Sequence, residues 1–202
     1  MSTDLTVFVV DDDEEVRDAM KLLMNSVGLK VETFASGEEY LDQFDPARPG
    51  CLLLDVRMQG ISGLDVQERL ALEQVQPPII IITGHGDVPM AVRAVKAGAV
   101  DFIEKPFNEQ VLLDSVHRAI ELDGEHRGRA LKLADITEHL QRLTPREREI
   151  LDLVVAGKRN KEIAGELGIS QSTVEAHRAR VMEKMQAESL SDLMRMMLSL
   201  QP

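Results

Sequence analysis

The sequence predicts an α/β protein: a (βα)₅ doubly wound parallel sheet joined to a second, all-α helix-turn-helix domain. Three observations lead there. Continuous apolar runs recur through the first 123 of 202 residues, interleaved with amphipathic stretches. No strand pattern appears beyond Asp123, and two short helical patterns meet at a Gly-containing turn near the C-terminus. Apolar runs without alternation suit strands covered on both faces, and strands that alternate with helices call for a parallel sheet.

Thr6-Val7-Phe8-Val9-Val10, Leu52-Leu53-Leu54 and Ile79-Ile80-Ile81-Ile82 are the continuous runs. Lys30-Val31-Glu32-Thr33-Phe34 alternates and belongs nearer an edge, and Val100-Asp101-Phe102-Ile103 makes a fifth strand. Helices are expected over 14–27, 36–44, 63–74, 87–98 and 108–122, with Ser36 placed as an N-cap and Gly28 and Gly98 past helix ends. The polar stretch from Asp123 to Gly128 divides the chain into domains 1–123 and 142–202, with 124–141 between them. Residues 129–142 read as an amphipathic helix that either runs on from the fifth helix or, at Gly124 and Gly128, hinges.

Composition limits the function classes. With 44% hydrophobic and 29% charged residues the chain reads as a globular protein. No apolar run approaches the roughly 20 residues that span a bilayer, and the N-terminus lacks the basic flank of a signal peptide. One cysteine, Cys51, rules out an internal disulfide and fits a reducing cytosol, so a cytoplasmic location without membrane partners is expected. The net charge of −12 is uneven: residues 1–124 hold 10 Lys/Arg against 23 Asp/Glu, residues 125–202 hold 13 against 12. Only the second half could meet a polyanion without strong repulsion.

Four of the five strands of the first half end in chemistry. Asp11-Asp12, Asp55, Thr83 and Lys105-Pro106 follow four of the apolar runs, and the carboxyl ends of parallel strands meet at one edge of a sheet. Apolar strands need no acids at their ends to fold. Asp55 is placed as a nucleophile able to take a phosphoryl group, Asp11 and Asp12 add hard oxygens for Mg²⁺, Lys105 offers a point charge and Thr83 a hydroxyl for phosphoryl oxygens. Taken singly, each has a plainer role: an acidic helix start for Asp11 to Glu15, or turn residues for Asp55 and Thr83.

Val9-Val10-Asp11-Asp12-Asp13, Leu54-Asp55-Val56-Arg57-Met58, Ile82-Thr83-Gly84-His85-Gly86 and Lys105-Pro106-Phe107 resemble the flavodoxin-like receiver domain of two-component response regulators. The resemblance implies that Asp55 receives phosphate from a phosphohistidine on a sensor histidine kinase. It implies Mg²⁺ held by Asp11, Asp12, Asp55 and the backbone carbonyl of Arg57, with Thr83 and Lys105 on the phosphoryl group. It further implies a switch in which Thr83 moves inward and Phe102 turns after it. Gln59 stands where the family usually has proline.

In the second half, Thr144-Pro145-Arg146-Glu147 carries the signals of a capped helix start. Ile150, Leu151, Val154 and Val155 form an apolar stripe; Asn160–Leu167, a turn at Gly168-Ile169-Ser170 and a helix over 171–185 follow. On that last helix Val174, Val181 and Met185 should face inward. Glu175, Ala176, Ala179, Arg180 and Glu183 lie opposite, with His177 and Arg178 on the flanks. Small side chains at Ala176 and Ala179 would admit a major groove, and Lys158, Arg159 and Lys161 sit at a helix start suited to phosphate. An ordinary three-helix bundle with solvated charges gives the same pattern.

Leu143-Thr144-Pro145-Arg146-Glu147-Arg148-Glu149-Ile150-Leu151, Asn160-Lys161-Glu162-Ile163-Ala164 and Ser172-Thr173-Val174-Glu175-Ala176-His177-Arg178 resemble the LuxR/NarL-type DNA-binding domain, and the layout is that of the FixJ-like regulators. This resemblance implies double-stranded DNA and RNA polymerase as partners and a homodimer on phosphorylation. The DNA contacts would come from Lys158, Arg159, Asn160, Lys161, Ser172, Thr173, Glu175, Ala176, His177, Arg178, Ala179 and Arg180. Glu175 occupies a position where many of the wider family carry Lys. The last helix, from Leu190 to Leu200, holds Met194, Met196 and Met197, which suit core filling. An enzyme hydrolysing small phosphates would show an Asp-x-Asp pairing that Asp55-Val56-Arg57 lacks, so no enzyme is expected. A regulator that binds DNA without phosphorylation is the remaining alternative.

Overall fold

The computed structural model describes residues 5–72, 76–84 and 86–200. The chain forms two compact units, residues Met1–Arg127 and Gly128–Pro202.

The first unit alternates β1 (Thr6–Val10), α1 (Glu14–Ser26), β2 (Lys30–Phe34), α2 (Gly37–Gln43), β3 (Gly50–Asp55), α3 (Gly63–Leu70), β4 (Ile79–Thr83), α4 (Val88–Lys96), β5 (Asp101–Glu104) and the first part, to Arg127, of α5 (Glu109–Gln141). All pairings are parallel and the strand order is β2-β1-β3-β4-β5. The fifth strand begins one residue later than the apolar run suggested, and α3 ends at Leu70, short of the expected 74. Residues 73–75, on which the end of that expected helix falls, lie outside the described residues.

The period of two in a strand sends its residues to two separate cores. Val7, Val9, Cys51, Leu53, Ile80, Ile82 and Ile103 pack with Met20 and Met24 of α1 and Leu112 and Val116 of α5. Phe8, Val10, Leu52, Leu54, Ile79 and Ile81 pack with Tyr40, Leu64, Val66, Leu70 and Ala94 on the other face. The continuous apolar runs are thus buried on both sides. The alternating β2 lies at one edge of the sheet. The chain winds one way from β1 to β2 and the other way from β3 onward, which opens a crevice at the carboxyl ends of β1 and β3.

The glycines at 124 and 128 do not interrupt α5, although each costs a helix interior about 1 kcal/mol. Buried Asp123 accepts from the backbone N–H of Gly50 at 2.9 Å and from Nε of Arg127 at 2.8 Å. The same guanidinium donates to the carbonyls of Pro46, Ala47 and Arg48. These bonds tie the segment around Gly124 to the loop before β3, and the first unit ends at Arg127. Burial, together with the nearby charge of Asp123, pushes the Cys51 thiol up to about 12, so it is inert as a thiolate.

The second unit contains α6 (Pro145–Val155), α7 (Asn160–Leu167), α8 (Gln171–Lys184) and α9 (Leu190–Ser199). Its core gathers Ile150, Leu151, Val154, Ile163, Val174, Val181, Met185 and Leu193, with Ile136 from the end of α5. Thr144 caps α6 in a capping box: Glu147 N–H donates to Thr144 Oγ1 at 3.3 Å, and Thr144 N–H to Glu147 Oε2 at 2.8 Å. Gly168, at φ 65°, ends α7 in the left-handed region, and two residues later Ser170 caps α8. Among the described residues no helix is long and apolar enough to cross a membrane.

Candidate functional site

At the carboxyl ends of β1, β3 and β5 the chain brings together two buried carboxylates and an ammonium. Lys105 Nζ donates to Asp11 Oδ2 at 2.6 Å and to Asp55 Oδ1 at 2.9 Å. Asp11 and Asp55 are 4% and 6% exposed, too buried for turn residues placed there by chance. The acidic run after β1 divides its work. Asp13 caps α1 through Glu15 N–H at 2.9 Å, while Asp11 faces the site and accepts from Asp13 N–H at 3.0 Å. The other oxygen of Asp55 accepts from Arg57 N–H at 2.7 Å. The Lys105–Pro106 peptide is cis.

Asp12 is exposed and turns to the loop after β3, where its Oδ2 accepts from the backbone N–H of Gln59 at 3.1 Å. A proline at 59 would have no such donor. Glu38 holds the same loop through Ile61 N–H at 3.0 Å, and Ser62 with Asp65 closes it in a capping box on α3. Two carboxylates therefore fasten this loop in a chain that lacks the usual proline. A Cβ on Gly63 would lie 2.1 Å from the carbonyl oxygen of Asp55, so α3 starts against the backbone of Asp55.

Burial raises the pKa of Asp55, and the hydrogen bond and charge of Lys105 offset only part of that rise. Burial also opposes the charge of Lys105, but Asp11 and Asp55 together outweigh it and hold the ammonium's pKa above its ordinary value. Among the described residues no three acidic, His or Cys side chains converge as a metal cage. The donors are hard carboxylate oxygens, which suit an ion such as Mg²⁺ that takes few protein ligands and keeps its waters.

Thr83 ends β4 fully buried, and its carbonyl accepts from Lys105 N–H at 2.8 Å. Phe102 is half-buried and pairs with Ile81 across β4 and β5. A Cβ on Gly86 would stand 2.9 Å from the Phe102 ring and 3.5 Å from Thr83 Cγ2. Gly86 therefore matters for close packing between the two expected switch residues, a role that loop freedom alone does not give it. His85, part of the same motif, lies outside the described residues.

On the second unit many of the expected DNA-facing residues are exposed: Ser172, Thr173, Glu175, Ala176, Ala179 and Arg180 on α8, Lys161 on α7 and Arg159 just before it. Several of these, and several of the others, also bond within the unit. Lys158 pairs with Glu166. Ser172 and Thr173 share hydroxyl bonds with Ser170, each at 2.8 Å. Asn160 joins Glu175 and Arg178. His177 is half-buried, with Nδ1 enclosed and without a partner. Sequence reading missed Lys184, which reaches back from the end of α8 to Glu147 Oε2 at 2.6 Å.

Residues 7–117 match the family described as response regulator receiver domain, and residues 141–197 match bacterial regulatory proteins of the luxR family. Nodulation protein W of Bradyrhizobium diazoefficiens is 48% identical over 195 residues, 96% of this chain and 86% of that protein. The transcriptional regulatory protein FixJ of Rhizobium meliloti is 46% identical over 197 residues, 98% of this chain and 97% of that one. Among solved structures, the response regulator StyR aligns with a TM-score of 0.86 at 44% identity, covering 96% of this chain and 98% of that chain.

Proposed function

Because the chain belongs to the response regulators that join a receiver domain to a LuxR-type DNA-binding domain, we propose that phosphorylation of Asp55 by a sensor histidine kinase sets how strongly the second unit binds DNA. The observation that carries this reading is Lys105 bridging Asp11 and Asp55 at the crevice where the winding of the sheet reverses. A buried carboxylate with a cation held beside it is prepared to become an acyl phosphate.

Transfer from a phosphohistidine breaks the phosphorus–nitrogen bond and forms one between phosphorus and an Asp55 oxygen. The electron pair leaves with the imidazole, which takes up a proton. Mg²⁺ held by Asp11, Asp12, Asp55 and the Arg57 carbonyl would screen the incoming negative charge. Lys105 moves its ammonium from the two carboxylates to the phosphoryl oxygens, and Thr83 turns its hydroxyl toward them. That movement frees space into which the Phe102 ring turns, so the surface of α4, β5 and the start of α5 changes with phosphorylation. Homodimerisation then adds two half-site contacts on duplex DNA, where RNA polymerase is recruited, all within the cytoplasm.

The test is intact mass after incubation with acetyl phosphate and Mg²⁺, followed by anisotropy titration of labelled duplex DNA. One phosphoryl group per chain with tighter duplex binding is the expected result. Phosphorylation that leaves DNA affinity unchanged would overturn the coupling.

The bond from Gln59 to Asp12 gives a sharper expectation. Gln59→Pro removes the N–H and should weaken Mg²⁺ binding about fivefold, in line with a partly exposed hydrogen bond to a charged group. Gln59→Ala keeps the N–H and should bind Mg²⁺ as the wild type does. Calorimetric titration of the full chain with Mg²⁺ measures both; equal affinity for all three proteins would refute a role for this bond.

A further inference from the structure

The exposed face of α8 combines a close approach with one fixed acid. Ala176 and Ala179 leave the face low, and Glu175 stands between them and Asn160, the first residue of α7. Asn160 Nδ2 donates to Glu175 Oε1 at 3.3 Å, and Arg178 Nη1 donates to Asn160 Oδ1 at 2.7 Å. The two contacts agree on one orientation of the amide: its oxygen meets the guanidinium and its NH₂ meets the carboxylate. Flipped, it would set donor against donor. Asn160 and Arg178 are half-buried, so the relay is held from beneath, while Glu175 is exposed.

A carboxylate on this face is repelled by phosphate and tolerated best where a base gives it a hydrogen bond. In the major groove the donors are the exocyclic amines of cytosine and adenine. In adenine the acceptor N7 lies next to the amine and would face a carboxylate that has no proton to offer it. In cytosine the neighbour of the amine is a C–H. The geometry points to Glu175 as a specificity-determining residue that selects cytosine in each half-site through its amine, positioned by Asn160 with Arg178 behind it. This assignment rests on the DNA-binding reading above.

The experiment is selection from a pool of random-sequence duplexes by the full-length protein, before and after treatment with acetyl phosphate and Mg²⁺, followed by sequencing. The proteins are wild type, Glu175→Ala, Glu175→Gln and Asn160→Ala. The wild-type pool should carry one position per half-site where cytosine is favoured about tenfold over the other bases. Glu175→Ala should lose preference at that position alone and bind non-specific duplex more tightly, because a repelled charge is gone. Glu175→Gln should move the preference to adenine, since an amide both donates to N7 and accepts from the amine. Asn160→Ala should blunt the cytosine preference while leaving the other positions readable. A merely structural Glu175 would instead weaken every position equally. Unchanged base preferences in all three variants overturn the assignment while DNA binding stands. A wild type that captures no duplex in either state overturns both the assignment and the reading beneath it.

Discussion

Lys105→Ala is expected to slow phosphorylation of Asp55 by acetyl phosphate about 100-fold, the scale at which loss of one preorganised charge contact shows in a transition state. The reason lies in what Lys105 touches. Its ammonium sits within 2.9 Å of both Asp11 and Asp55, and its own charge is reinforced by them. Phosphoryl transfer is positioning and charge stabilisation more than covalent work by the protein, so a cation already beside the reacting oxygen has only to pass from the carboxylates to the phosphoryl oxygens to stabilise developing charge. Lys105→Arg should fall between the two, because a planar fork replaces a compact point charge. Asp55→Asn should take up no phosphoryl group at all. Rates come from intact mass against time, and circular dichroism establishes that each variant is folded. A folded Lys105→Ala protein phosphorylated at the wild-type rate would remove Lys105 from the mechanism.

The second large effect concerns stability. Glu147 is 3% exposed and its carboxylate serves twice, as the reciprocal half of the α6 cap and as the partner of Lys184 on α8. The Lys184 ammonium, then the Thr144 N–H, draw its pKa from the ordinary 4.5 down to about 2. A carboxyl whose folded pKa is depressed contributes stability that is whole above its unfolded pKa and lost as pH falls through the folded one. The contribution should therefore be intact above pH 4.5 and fade toward pH 2. Glu147→Ala should cost the second unit about 2 kcal/mol near neutral pH, as expected for loss of a cap together with a half-exposed ion pair. Hydrogen exchange at the amides of α6 and α8 in the full chain reads this out. The gap between wild type and Glu147→Gln should narrow across that acid window. A gap that stays constant with pH would show that the carboxylate's charge is not what holds α6 to α8.

How much of this was legible in the sequence depended on the kind of interaction. β1, β3 and β4 could be read because burial on both faces leaves an unbroken apolar run, and the site could be read because parallel strands deliver their last residues to one edge. Thr144 and Ser36 were legible because capping is a local matter of a hydroxyl and an N–H three residues on. The unbroken α5 was legible only as one of two alternatives. Gly124 and Gly128 signal a break, and what offsets them is a contact between Arg127 and carbonyls some 80 residues earlier in the chain. The work of Gln59 was hidden for a different reason: it uses a backbone N–H, so only the absence of proline records it. Lys184 and the relay from Arg178 to Glu175 join residues on different helices, which no period along one helix reveals.

The grip of Arg127 on the loop before β3 bears on how such chains can be recombined. A crossover that exchanged the second unit after Asp123 would strip three carbonyls of their donor and leave a buried carboxylate without its cation. A crossover after Arg127 would carry the whole receiver intact into a new partnership. The portable module is therefore longer than the sheet and the helices that cover it suggest, and the seam along which evolution or an engineer can splice a different output is set by one arginine.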